Sequence, residues 1–98
     1  MPAYRIVLFK LKQGVSEAQV EQFINESKEE GRKVPGVISL EIGPALDMVR
    51  TKGYDMGIIL QVETPEHLAS FAKDARHLRL HELREQITED SLAFNLAF

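Results

Sequence analysis

Apolar residues recur at every second position in four stretches of this chain and at helical spacing between them. The resulting order is strand, helix, strand, strand, helix, strand. Residues 4–12 read as the first strand, with Arg5, Val7, Phe9 and Leu11 on one face and Tyr4, Ile6, Leu8 and Lys10 on the other. Gly14 ends it. Ser16 followed three residues later by Gln19 has the form of a capping box, opening a helix over 17–32 whose inward stripe is Val20, Phe23, Ile24, Ser27 and Gly31. Pro35-Gly36 turns the chain into a second strand, 37–43, with Ile38, Leu40 and Ile42 on one face. A polar loop leads to a third strand, 53–63, with Met56, Ile58, Leu60 and Val62 on one face. Thr64-Pro65 starts a short helix to Lys73, and Asp74 caps a further helix over 75–87. The last strand, 91–98, alternates Leu92, Phe94, Leu96 and Phe98 with small or polar residues.

This order specifies an α+β fold, the ferredoxin-like β-α-β-β-α-β domain, in which helices cover one face of a four-stranded antiparallel sheet. A chain of 98 residues has room for a single domain, 1–98, with a modest core. In a half-solvated antiparallel sheet one face should be polar. Here the first strand is apolar on both, so Tyr4, Ile6 and Leu8 need cover. A second copy packed sheet to sheet about a two-fold axis, forming a dimeric α/β barrel, would supply it. The alternative is a partly exposed sheet carrying stray apolar residues.

The composition narrows the function classes. A net charge of −3 offers no basic field for nucleic acid. The absence of cysteine removes disulfides and thiol catalysis and fits a cytoplasmic setting. No stretch approaches the ~20 apolar residues of a membrane span. No Gly-rich phosphate loop is present, no cofactor is implied, and Asp47 and Asp55 do not form a carboxylate pair.

The run Arg5-Ile6-Val7-Leu8-Phe9-Lys10-Leu11-Lys12, the segments Val34-Pro35-Gly36-Val37 and Ser39-Leu40-Glu41-Ile42-Gly43, the Lys52-Gly53-Tyr54-Asp55 loop and the surroundings of His77 together resemble the stress-responsive dimeric A/B barrel (Dabb) family. The resemblance extends from Tyr4 to Phe98. It implies a homodimer and, for the members that are enzymes, a cofactor-free lyase or polyketide-cyclase activity in which a histidine near the start of the last long helix is the acid/base. That histidine corresponds to His77. Other polar positions of the family pattern are occupied here by Arg5, Met56, Ser27 and Phe71.

Two functions are therefore expected. The first is a lyase or cyclase acting on a small apolar oxygenated ligand. His77 would be the catalytic acid/base and Arg5 the group that stabilises an oxyanion, in a pocket formed by Val7, Phe9, Phe23, Ser27, Met56, Ile58 and Phe71. The second is a non-catalytic homodimeric stress or hydrophobic-ligand-binding protein whose cavity is filled or holds a ligand passively. On the residues alone, the simpler accounts are that His77 is a core histidine bonded to a carbonyl and that Arg5 extends to solvent. His77 and His81 have two-ligand metal spacing but no evident third ligand, so no metal is expected. His67 and His81 read as surface or edge residues.

Overall fold

Ser16 begins the first helix as the spacing predicts. Its hydroxyl accepts from the Gln19 backbone N–H at 3.2 Å, and Gln19 Oε1 accepts from the Ser16 N–H at 3.3 Å. The computed structural model describes all residues, Met1–Phe98. Its elements are β1 (Ala3–Leu11), α1 (Glu17–Gly31), β2 (Val37–Pro44), β3 (Met56–Val62), α2 (Glu66–Lys73), α3 (Ala75–Ile87) and β4 (Thr88–Ala97). The strands lie in the order β2-β3-β1-β4, every neighbouring pair antiparallel. This is the ferredoxin-like β-α-β-β-α-β arrangement with a four-stranded antiparallel sheet.

The core lies between the helices and one face of the sheet. Val7, Phe9, Leu40, Ile42, Met56, Leu60 and Val62 come from the strands, and Phe23, Phe71, Leu80, Leu83 and Ile87 from the helices. α1 reaches the sheet closely because Gly31 has no side chain. A Cβ there would stand 2.7 Å from Leu40 Cδ1. Gly36 turns the chain at φ +89°, a conformation glycine adopts without steric cost. His67 packs directly over it, with Nδ1 2.8 Å from Thr64 Oγ1, so His67 braces the turn.

Three details depart from the strand pattern. Ile38, expected beside Leu40 and Ile42 on the inward face, is 51% exposed. The β2–β3 register shifts between Val37 and Ser39, and the extra residue of this bulge leaves Ile38 out of the ladder. β3 starts at Met56 rather than at 53. Lys52 and Gly53 both have positive φ and form a turn. Asp55 then ties that turn to β1, donating its N–H to Phe9 O and accepting the Leu11 N–H at Oδ1. β4 begins at Thr88 with no intervening loop. Thr88 both caps α3, through Oγ1 to Arg84 O at 2.9 Å, and pairs with Leu11 across a second bulge.

The opposite sheet face carries no helix. Ile6 stands between Ile59 and Phe94, Leu8 beside Leu92, and Tyr4 beside Leu96. Leu92, Phe94, Leu96 and Phe98 are each 48–58% exposed, and Tyr4 stacks on Phe98 at 4.7 Å. Glycines 43 and 57 pair across β2 and β3. Around them lies a depression of about 540 Å³ bordered by Ile6, Leu8, Ile42, Tyr54, Met56 and Ile59.

Candidate functional site

His77 owes its position to the break between α2 and α3. Asp74 adopts an extended conformation, and its carboxylate accepts the Arg76 N–H at 2.8 Å. The helix ladder is interrupted there, and the Ala72 carbonyl accepts from His77 Nδ1 at 3.2 Å. A carbonyl can only accept, so in the neutral ring Nδ1 carries the proton and Nε2 the lone pair. Nε2 has no protein partner. The ring packs against Phe71 at 4.9 Å between centroids.

This histidine lines a cavity of about 50 Å³ between the helices and the covered sheet face. Arg5 and Val7 of β1 form its floor with Ile58 and Leu60 of β3, the partners of Val7 and Arg5 in the ladder. Leu40 of β2 adds to it. Phe23 and Ser27 of α1 form one wall, one helical turn apart. Phe71 of α2 and His77, Leu80, His81 and Arg84 of α3 form the other. The volume is well below the ~300 Å³ at which drug-sized ligand sites begin. It has room for a few water-sized groups, one water needing ~10–15 Å³.

Burial, aided by nearby positive charge, holds His77 neutral at pH 7. Burial lowers its pKa from the ordinary 6.5, and the neighbouring Arg5, then His81 and Arg84, lower it further, against the raising effect of the Ala72 hydrogen bond. Arg84 donates from a terminal nitrogen to His81 Nδ1 at 2.9 Å, and its guanidinium lies 5.5 Å from the Phe9 ring centre. The Arg84 Nε and the Ser27 Oγ, on a residue only 1% exposed, are buried with no hydrogen-bond partner in the protein.

Of the residues expected in the pocket, Arg5, Val7, Phe23, Ser27, Ile58, Phe71 and His77 come together there. Phe9 and Met56 do not. They face each other one step further along the β1–β3 ladder, where Phe9 is fully buried under Arg84 and edge-on to Phe23. Arg84 closes the cavity before it reaches them. Leu40, Leu80, Arg84 and the inward part of His81 also line the cavity and were not among the expected pocket residues. A signal existed in α3, since Leu80, His81 and Arg84 follow His77 by three, four and seven residues and share its helical face. Leu60, expected on the same face as Ile58, lines the cavity with it. His81 is engaged by Arg84 on one nitrogen and lies 3.4 Å from Glu85 on the other. No group of three or more histidine, aspartate or glutamate side chains is placed to hold a metal ion. No helix is long and apolar enough to cross a membrane.

Residues 3–98 match the sequence model of the stress-responsive A/B barrel domain. The chain belongs to that family. Among solved structures of similar fold is a dimeric ferredoxin-like protein of unknown function from Thermobifida fusca YX, at 19% identity and a TM-score of 0.88 over 100% of this chain and 92% of that one. The hydroxynitrile lyase of Passiflora edulis is 16% identical at a TM-score of 0.86, over 97% and 91% of the two chains. A Dabb family protein with a ferredoxin-like fold from Mesorhizobium loti MAFF303099 is 15% identical at 0.82, over 99% and 96%. These identities speak for the fold alone. No curated protein matches the sequence.

Proposed function

We propose that this A/B barrel protein performs cofactor-free acid/base chemistry, of the lyase or cyclase type, on a small apolar oxygenated ligand held between its helices and sheet. The observation that carries this reading is His77. Its Nδ1 is fixed by the Ala72 carbonyl and its Nε2 is free, in a cavity whose burial and positive charge keep the ring neutral at pH 7. A neutral imidazole with one nitrogen anchored is a competent general base. Nε2 takes a proton from the ligand, and Arg5 lies on the same cavity to hold the oxyanion that develops. Val7, Ile58, Phe23 and Phe71 supply the apolar wall. The existence of a lyase with the same fold is in keeping with this reading.

The working unit in this reading is a cytoplasmic homodimer joined through the open sheet face of Tyr4, Ile6 and Leu8. Its support is the row of half-exposed apolar side chains on that face and the dimeric state of similar proteins.

The test is turnover by purified wild type and His77→Gln against short hydroxynitriles and β-keto carbonyl compounds. A general base contributes about 10²–10⁴-fold, so the variant should lose at least a hundredfold in kcat with its fold intact. Equal rates would end the catalytic reading. One observation favours a second reading, passive binding of a ligand in a stress-related dimer: the cavity is only about 50 Å³. Saturable, His77-dependent turnover would exclude it.

A further inference from the structure

The polar groups around the cavity are biased in a way that proton transfer alone does not require. They are almost all donors. Arg5 takes part in no ion pair or side-chain hydrogen bond. Arg84 has its nearest carboxylate, the exposed Glu85, at 3.6 Å from a terminal nitrogen, while its Nε is buried and unpaired. Ser27 Oγ is the other buried side-chain atom without a partner, and it lies across the same cavity on α1. No aspartate or glutamate lines the space. The protein's own acceptors there are the Nε2 of His77 and the lone pairs of Ser27. A buried donor left unmade costs about 1–3 kcal/mol, more when charged, and two orphans on facing elements of one cavity define a place for oxygen acceptors that the chain does not supply.

We propose that this cavity binds a small organic anion, a short-chain monocarboxylate, whose carboxylate accepts hydrogen bonds from Arg84 Nε, Ser27 Oγ and the Arg5 guanidinium. The proposal deepens the reading of the same cavity as a site for a small oxygenated ligand and rests on it for the location. The volume of about 50 Å³ limits the anion to acetate size in this conformation. Val7, Ile58 and Phe71 would take its apolar end. Carboxylate is favoured over a neutral carbonyl because a guanidinium binds it with charge-assisted, often paired hydrogen bonds. The charged or titratable groups facing His77 are Arg5 from β1 and His81 and Arg84 from α3, all of which oppose its protonation. An anion placed among them reverses that field. By linkage, acetate should raise the His77 pKa and bind more tightly as His77 protonates.

The experiment is an NMR titration of the histidine rings in the full chain with sodium acetate, at constant ionic strength, with acetamide as the neutral isostere. Wild type, Arg84→Met and Ser27→Ala are compared. Acetate should move the His77 resonances saturably and raise the His77 pKa, while acetamide at the same concentration leaves both unchanged. Ser27→Ala should weaken acetate about tenfold, the loss of one hydrogen bond to a charged group, and Arg84→Met should abolish saturation. Equal responses to acetate and acetamide would overturn the proposal, as would undiminished acetate binding in both variants. If Arg84→Met fails to fold, Ser27→Ala decides alone. The catalytic reading fails separately. Acetate binding without His77-dependent turnover removes the chemistry and keeps the anion site. Turnover of a neutral substrate with no acetate response removes only the anion site.

Discussion

Replacing Ser27 by alanine should make this protein more stable, although the residue is 1% exposed in the centre of the domain. The hydroxyl is buried with no partner, and it does not donate back to its own helix. An unsatisfied hydroxyl costs about 1–3 kcal/mol. The adjoining cavity has room for water, which places the cost near the lower limit, about 1 kcal/mol. Alanine also has a helix propensity about 0.5 kcal/mol better than serine in the middle of α1. Against these stand the lost dispersion contacts of a single atom, a few times the ~0.1–0.2 kcal/mol of one atom pair. The sum is a gain of about 1 kcal/mol, which in a domain of this size raises Tm by about 4–8 °C. Urea unfolding and calorimetry on wild type and Ser27→Ala, at equal protein concentration, measure it. A loss of 0.5 kcal/mol or more would refute the reasoning, because it would mean that the hydroxyl has a partner worth more than its burial costs. The same substitution removes a donor from the cavity, so stability and anion affinity should move in opposite directions.

Three further outcomes follow from other parts of the fold. The folded-state pKa of His77 lies below its unfolded value. Between the two the unfolded chain holds one more proton, so stability rises with pH through that window, and the penalty is complete below the folded value. Wild type should therefore lose stability relative to His77→Gln as pH falls below about 6.5, and the difference should be flat above it. A relative gain on acidification in urea titrations would contradict this. Gly36→Ala should cost about 2 kcal/mol, from the positive φ and from a Cβ placed 2.1 Å from His67 Cδ2, which must give up its bond to Thr64. A urea midpoint within 0.5 kcal/mol of wild type, on the order of the ordinary surface-substitution range, would sink that account. Phe94→Asp, at a residue 58% exposed in the single chain, should leave secondary structure intact while light scattering falls from twice the 11.1 kDa chain mass to once. An unchanged mass would place the contact between copies elsewhere.

Whatever depends on neighbours close in sequence is legible in the sequence itself. The element order, the Ser16 and Asp74 caps, the Gly36 turn and the opposed faces of β1 follow from periods of 2 and 3.6 and from local hydrogen bonds. The same periodicity placed His77 on an inward stripe and put Arg5 and Ser27 opposite it. What the sequence could not resolve depends on how far one element slides along another. A one-residue bulge excluded Ile38, which simple alternation had counted inward. The position of α3 along the sheet set Arg84 over Phe9, closing the cavity short of Phe9 and Met56 and bringing His81 to its edge. The cavity's small volume, its unpaired Ser27 and Arg84 donors and the Ala72 carbonyl that fixes His77 are also products of packing between segments far apart in the chain. Strand and helix periods fix which way a side chain points, but only the register between packed elements fixes what it meets.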